Sequence, residues 1–186
     1  MVSLMQLWLP IVLSALFVFF ASSLLNMVLK FWHLPDYRGF SNEDEVRAAL
    51  RKGMSGGGIY AVPHCTPEKM KSPEMVQKFA EGPLAMIALK PGAAMNMGKS
   101  LMQWFVFCLL ISFLSALLAA HTIAAGAPSA HVFHVLALAA FLGHAMGPIP
   151  DAIWWSHPWR SSFKYIVDGL IYAVIVGATF MWLWPA

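Results

Sequence analysis

SLMQWFVFCLLISFLSALLAAHTIAAGAPSAHVFHVLALAAFLGHAMGPIP, residues 100–150, runs for fifty-one residues without an Asp, Glu, Lys or Arg. Two apolar segments, about 101–120 and 131–148, flank a turn at 122–130 that is rich in Ala and Gly. The hydrocarbon layer of a bilayer is about 30 Å thick and an α-helix rises about 1.5 Å per residue, so each segment can cross it or nearly do so. The stretch reads as a transmembrane helical hairpin.

Working outward, residues 4–29 and 163–184 supply a first and a fourth span. The first resembles a signal peptide at Ala21-Ser22-Ser23. However, no positive charge precedes it and its apolar run exceeds the usual ~7–15 residues, so an uncleaved helix is expected. Only 11% of the 186 residues are charged and 59% are hydrophobic, against about 25% charged in soluble domains. The expected fold is an all-α membrane protein: four transmembrane helices with a small cytoplasmic α/β insertion between the first two. Residues 1–30 hold the first helix, 31–98 the insertion and 99–186 the three-helix transmembrane region.

Ten of the twelve Lys and Arg lie between Lys30 and Lys99, and the others are Arg160 and Lys164. With four spans these charges share one face, which the positive-inside rule makes cytoplasmic, leaving both termini periplasmic. Lys30, Lys90, Lys99, Arg160 and Lys164 at the span ends carry that argument. A net charge of +3 gives no reason to expect nucleic acid as a partner. Cys65 falls in the insertion and Cys108 in a span, so no disulfide is expected between them.

Within the insertion, Trp32 and His33 suit an interfacial belt. Ser41 with Asp44 has the spacing of a capping box for a helix that Gly53 can close. Gly56–Gly58 forms a joint, and 59–62 and 84–89 read as short strands. Ser72-Pro73-Glu74 opens a second helix, ending near Gly82. In the spans, small residues recur every four positions: Ser112, Ala116 and Ala120; Ala139, Gly143 and Gly147; Gly169, Ala173 and Gly177. Such stripes let helix backbones approach closely. They read as the seam of one bundle or as a homo-oligomer contact.

The run 92–100 imitates a phosphate-binding loop but has five residues between its glycines instead of four, and a span follows it. His64-Cys65 has no further ligand at metal spacing. His121, His131 and His134 should meet at the periplasmic mouth of the hairpin, where imidazoles could hold copper or zinc. No carboxylate is available on that side to orient them. At the cytoplasmic mouth stand His144, Asp151, His157 and Asp168. An ionisable residue at membrane depth is a functional hypothesis by default, although Lys164, four residues before Asp168, offers it an ion pair.

The block Ile153-Trp154-Trp155-Ser156-His157-Pro158-Trp159, with Lys164, Asp168–Ala173, Trp182-Leu183-Trp184-Pro185 and the Met97–Leu101 start of the second span, resembles a pattern found in small, functionally uncharacterised four-span inner-membrane proteins of proteobacteria. The resemblance implies the bacterial inner membrane and transfers no catalytic residue. Lacking a nucleophile–base pair or cofactor motif, the chain is expected to be non-enzymatic. The leading reading is an accessory or assembly subunit of a larger inner-membrane complex, in contact with lipids and other membrane subunits or with copies of itself. A small oligomeric transporter or channel with a proton or ion path at His144, Asp151, Asp168 and His157 is the alternative. The histidine-based metal protein is a third reading, and no other cofactor is expected.

Overall fold

The computed structural model describes residues 2–92 and 96–186, so 93–95 of the run resembling a phosphate loop lie outside the described residues. The chain forms two compact units, one from residues up to Tyr37 together with those from Asn96 onward, the other from the segment between them. It is mostly helical, at 71%. Among the described residues four helices are long and apolar enough to span a membrane: Leu4–Val28, Met97–Thr122, Ser129–Trp154 and Trp159–Leu183.

Their outward faces carry large apolar side chains in the open, including Phe20, Leu110, Leu114, Leu138, Leu142 and Leu170. Contiguous exposure of this kind has lipid as its natural solvent.

The first span opens on a 3-10 turn, Leu4–Leu7, closed by a capping box in which the Ser3 hydroxyl accepts the Met5 N–H and Gln6 Oε1 takes the Ser3 N–H at 2.9 Å. It continues as α1 (Trp8–Ser23) and ends in a π-helical turn, Leu24–Val28, where the Leu29 N–H reaches back five residues to the Leu24 carbonyl. A short helix α2 (Lys30–His33) and a 3-10 turn (Leu34–Asp36) follow. Residues 31–37 thus pack with the helical unit and not with the insertion, whose expected start was 31.

The smaller unit contains α3 (Glu43–Gly53), β1 (Gly58–Val62), α4 (Pro73–Glu81) and β2 (Ala85–Leu89). The strands pair antiparallel, with Gly58 opposite Leu89 and Val62 opposite Ala85. Asn42, not Ser41, stands at the cap of α3 and its amide donates to Glu45 Oε2, so the expected Ser41–Asp44 box does not form. Three acids in the first turn of α3 complement the helix dipole instead. In α4 the Ser72 hydroxyl accepts the Met75 N–H, as the sequence predicts. Ser72→Ala should cost about 1 kcal/mol of local stability, read as faster amide exchange across Pro73–Glu81. Unchanged exchange there would deny the cap its role.

The remaining spans are α5 (Met97–Thr122), α6 (Ser129–Ala145) with its continuation α7 (Pro148–Trp154), and α8 (Trp159–Leu183). The third span does not stop at 148. It breaks at Met146-Gly147 and resumes, with Pro148 at a first-turn position where its missing N–H costs little. The fourth begins at Trp159 and not at 163, because the Pro158 carbonyl accepts the N–H groups of Ser161 and Ser162.

The small-residue stripes meet inside the bundle. A Cβ on Gly169 would lie 2.6 Å from Ala145 Cβ and 2.8 Å from its Cα, and one on Gly177 would lie 3.0 Å from the Phe133 carbonyl, so α8 rides on the backbone of α6. A Cβ on Gly143 would meet Ile111 of α5 at 2.7 Å. Ala173 is buried, and in α6 Ala140 occupies the buried position beside half-buried Ala139. Ser112, Ala116 and Ala120 are buried, and Ser14 of α1 donates its hydroxyl to Ser112 at 3.0 Å. Gly147 is the exception: a Cβ there meets nothing within 4 Å among the described residues, since the helix has already ended. It is not a packing glycine.

Candidate functional site

The α5–α6 turn and the C-terminal residues meet at one end of the helical unit, where Gly126 donates to the Pro185 carbonyl and Trp184 Nε1 to the Ala124 carbonyl. Toward the other end, α8 carries Lys164 and Asp168 one turn apart, 7% and 2% exposed. Their spacing predicts a pair, but each finds a different partner. Asp168 accepts the Trp32 indole N–H at 2.8 Å through Oδ1 and lies 2.6 Å from His33 Nε2 through Oδ2. Lys164 donates to Asp36 Oδ1 at 2.7 Å and to the Trp32 carbonyl, with its ammonium 5.6 Å from the centre of the Trp32 ring. Trp32 and His33, just past the first span, therefore close a cluster against α8.

The local chain explains this placement. The π-helical turn and the tight helix after it bring Trp32, His33 and Asp36 onto one side, facing α8. Tyr165 then stacks on the His33 ring, with centroids 4.7 Å and planes 20° apart. Two acids, one lysine and one histidine thus meet in one buried cluster, where each ionised group needs a partner of opposite charge. The Lys164 ammonium holds the Asp36 carboxyl below the usual carboxylate range, against the desolvation that raises it. His33 Nδ1 stands 3.6 Å from Asp36 Oδ2, and neither atom has a hydrogen-bond partner among the described residues.

Beside the cluster lies a cavity of about 500 Å³ to which all four spans contribute. Trp104, Phe107 and Tyr172 form aromatic walls, Ser22 and Asn26 are polar, and Asp168 lies along one side. His144 stands among these rings, 5.5 Å from Tyr172 and 5.6 Å from Phe107 between centroids. Both of its ring nitrogens are buried without a partner among the described residues. A second cavity, of about 490 Å³, is lined by Lys30, His33, Leu34 and Tyr37 and shares Asn26 and Met27 with the first. The His33–Asp168 contact joins the two cavities, His33 lining one and Asp168 the other.

Of the residues singled out from sequence, His144 and Asp168 come together on the first cavity. Asp151 is exposed on α7 and lines neither cavity. His157 is also apart from them: its Nδ1 lies 3.0 Å from the Ser162 hydroxyl. His121, His131 and His134 are each exposed, and among the described residues no three His, Cys, Asp or Glu are grouped to hold a metal ion. Both cysteines are unpaired. Sequence places Trp32 and His33 only by their position after a span and does not single out Asp36, although a His and an Asp three residues apart directly after a span are a signal of such a cluster. Against family models, curated proteins and solved structures, the chain finds no match.

Proposed function

We propose that the protein is a small, proton-linked membrane transport protein whose ligand cavity communicates with a proton held between His33 and Asp168. One observation carries this reading: the 2.6 Å contact between His33 Nε2 and Asp168 Oδ2 lies where two cavities adjoin. A carboxylate oxygen only accepts, so one hydrogen sits between the two groups. With that hydrogen on Nε2, the unpartnered Nδ1 on the side of Asp36 is the open position at which the ring can exchange a proton. A ring that accepts at one nitrogen and donates from the other is a proton relay. His144, with both nitrogens unsatisfied, supplies one donor and one acceptor to whatever occupies the cavity.

The accessory-subunit reading loses one support, since Gly143, Gly169 and Gly177 are occupied by neighbouring helices of the same chain. We also propose the bacterial inner membrane with periplasmic termini. Exposed Lys30, Lys99 and Arg160 near span ends support that sidedness. Lys164, which the sequence reading counted with them, is withdrawn into its pair with Asp36.

The test is proton flux into proteoliposomes driven by a potassium diffusion potential and read by an internal pH dye. Asp168→Asn keeps the size and the acceptor for Trp32 but loses the ionisable carboxyl. Wild type should carry protons above the protein-free rate, and Asp168→Asn should fall to that rate while eluting as the same monodisperse species. Flux equal in the two proteins would overturn the proposal.

A further inference from the structure

Resting on that reading, we infer that the cavity bounded by Trp104, Phe107, Tyr165, Tyr172 and Asp168 takes a lipophilic aromatic cation in exchange for the His33 proton. The walls exclude the other charge class. Among the described residues lining the cavity Asp168 is the one carboxyl, and the Lys164 ammonium, one turn before it on α8, is committed to Asp36 and to the Trp32 carbonyl. An anion would meet that carboxylate and, among the described residues lining the cavity, no lysine or arginine. A cation would meet four aromatic rings, one of them the indole that binds cations best. The volume of about 500 Å³ is that of a small-ligand site.

Charge conservation in a buried site specifies the exchange. In the empty site Asp36 and Asp168 balance Lys164 and protonated His33. An added cation would leave an uncompensated positive charge, which burial penalises heavily. Loss of the Nδ1 proton from His33 restores neutrality, while the Nε2 hydrogen keeps its bond to Asp168. One cation enters and one proton leaves, with no other bond broken. The groups facing His33 are Asp168, Lys164 and Tyr165 on α8, Asp36 and Tyr37 on its own segment, and Lys30 across the second cavity. Of these, Lys30 is exposed and screened by solvent, and Asp36 and Lys164 neutralise one another, so the His33–Asp168 pair is left to answer the ligand's charge, with His144 on the cavity wall as the other titratable group beside the ligand.

The experiment is equilibrium dialysis of the full-length protein in detergent against tetraphenylphosphonium, with tetraphenylborate, the same shape with opposite charge, in a parallel arm. We expect saturable one-to-one binding of tetraphenylphosphonium and none of tetraphenylborate. Because proton and cation compete for one charge, the dissociation constant should rise about tenfold per pH unit on the acid side. Unbuffered protein should release one proton per cation bound. Trp104→Ala should bind about tenfold more weakly and still release its proton. The inference is overturned if tetraphenylphosphonium fails to bind at pH 8, if both ions bind alike, or if the affinity is independent of pH. Failed binding with Asp168-dependent proton flux intact overturns the cation alone. Failed binding with no such flux overturns the transport reading as well.

Discussion

Gly169→Leu is expected to abolish recovery of folded protein from the membrane, and Gly169→Ala to destabilise it by about 1–3 kcal/mol or more, the usual cost of overpacking. The atoms in the way belong to the Ala145 Cβ, Cα and backbone N, at 2.6, 2.8 and 3.0 Å from where the new Cβ would stand. A flexible side chain could swing aside, but a helix backbone can only be pushed, and α6 is held from its other side by α5. Gly147→Ala is the control, since its site is open and its φ of −54° suits any residue. That variant should stay within about 0.5 kcal/mol of wild type. In a Cys65→Ser background, buried Cys108 provides the readout, because a maleimide dye reacts with it once the bundle opens on heating. Equal midpoints for the two alanine variants would mean that α8 does not ride on α6 at Gly169.

The second large effect is expected at Lys164. Lys164→Met leaves the Asp36 carboxylate, 11% exposed at its side chain, without its cation. Removing one partner of a buried pair costs about 3–5 kcal/mol, because the other charge stays behind. Adding Asp36→Asn should recover most of that loss, and a double variant no more stable than Lys164→Met would refute the pairing. The pH dependence follows from the lowered carboxyl of Asp36. A group whose folded value lies below its unfolded one, about 3.9 for Asp, binds fewer protons when folded. Its contribution is therefore complete above that unfolded value and is lost as pH falls through the folded one. Wild type should weaken more steeply than the double variant below about pH 4, measured by the same thermal assay.

How far the sequence speaks depends on the range of the interaction. The spans are legible because fifty-one uncharged residues leave lipid as the environment that fits them. The hydroxyl cap on α4 and the two strands are local patterns and are legible for that reason. Glycine spacing marks Gly143, Gly169 and Gly177 as close approaches, yet the same spacing extends the stripe to Gly147, past a helix end that is visible only once α6 has formed. The candidate site was half legible. His144 and Asp168 stand out as polar residues at membrane depth, but the i, i+4 rule assigned Lys164 to Asp168. The actual partners lie more than 120 residues away in the chain, and no local period records them.

The π-helical turn at Leu24–Val28 sets the phase of the short helix that follows the first span. One added residue turns the chain by about 100° around the helix axis without lengthening the hydrogen-bonded ladder by a full rung. Remove that residue and regular winding resumes, but the aspect of Trp32 and His33 that now addresses α8 would swing a quarter-turn toward the acyl chains. The span thus works as an indexing gear, and a single surplus tooth decides whether the histidine and the aspartate face each other.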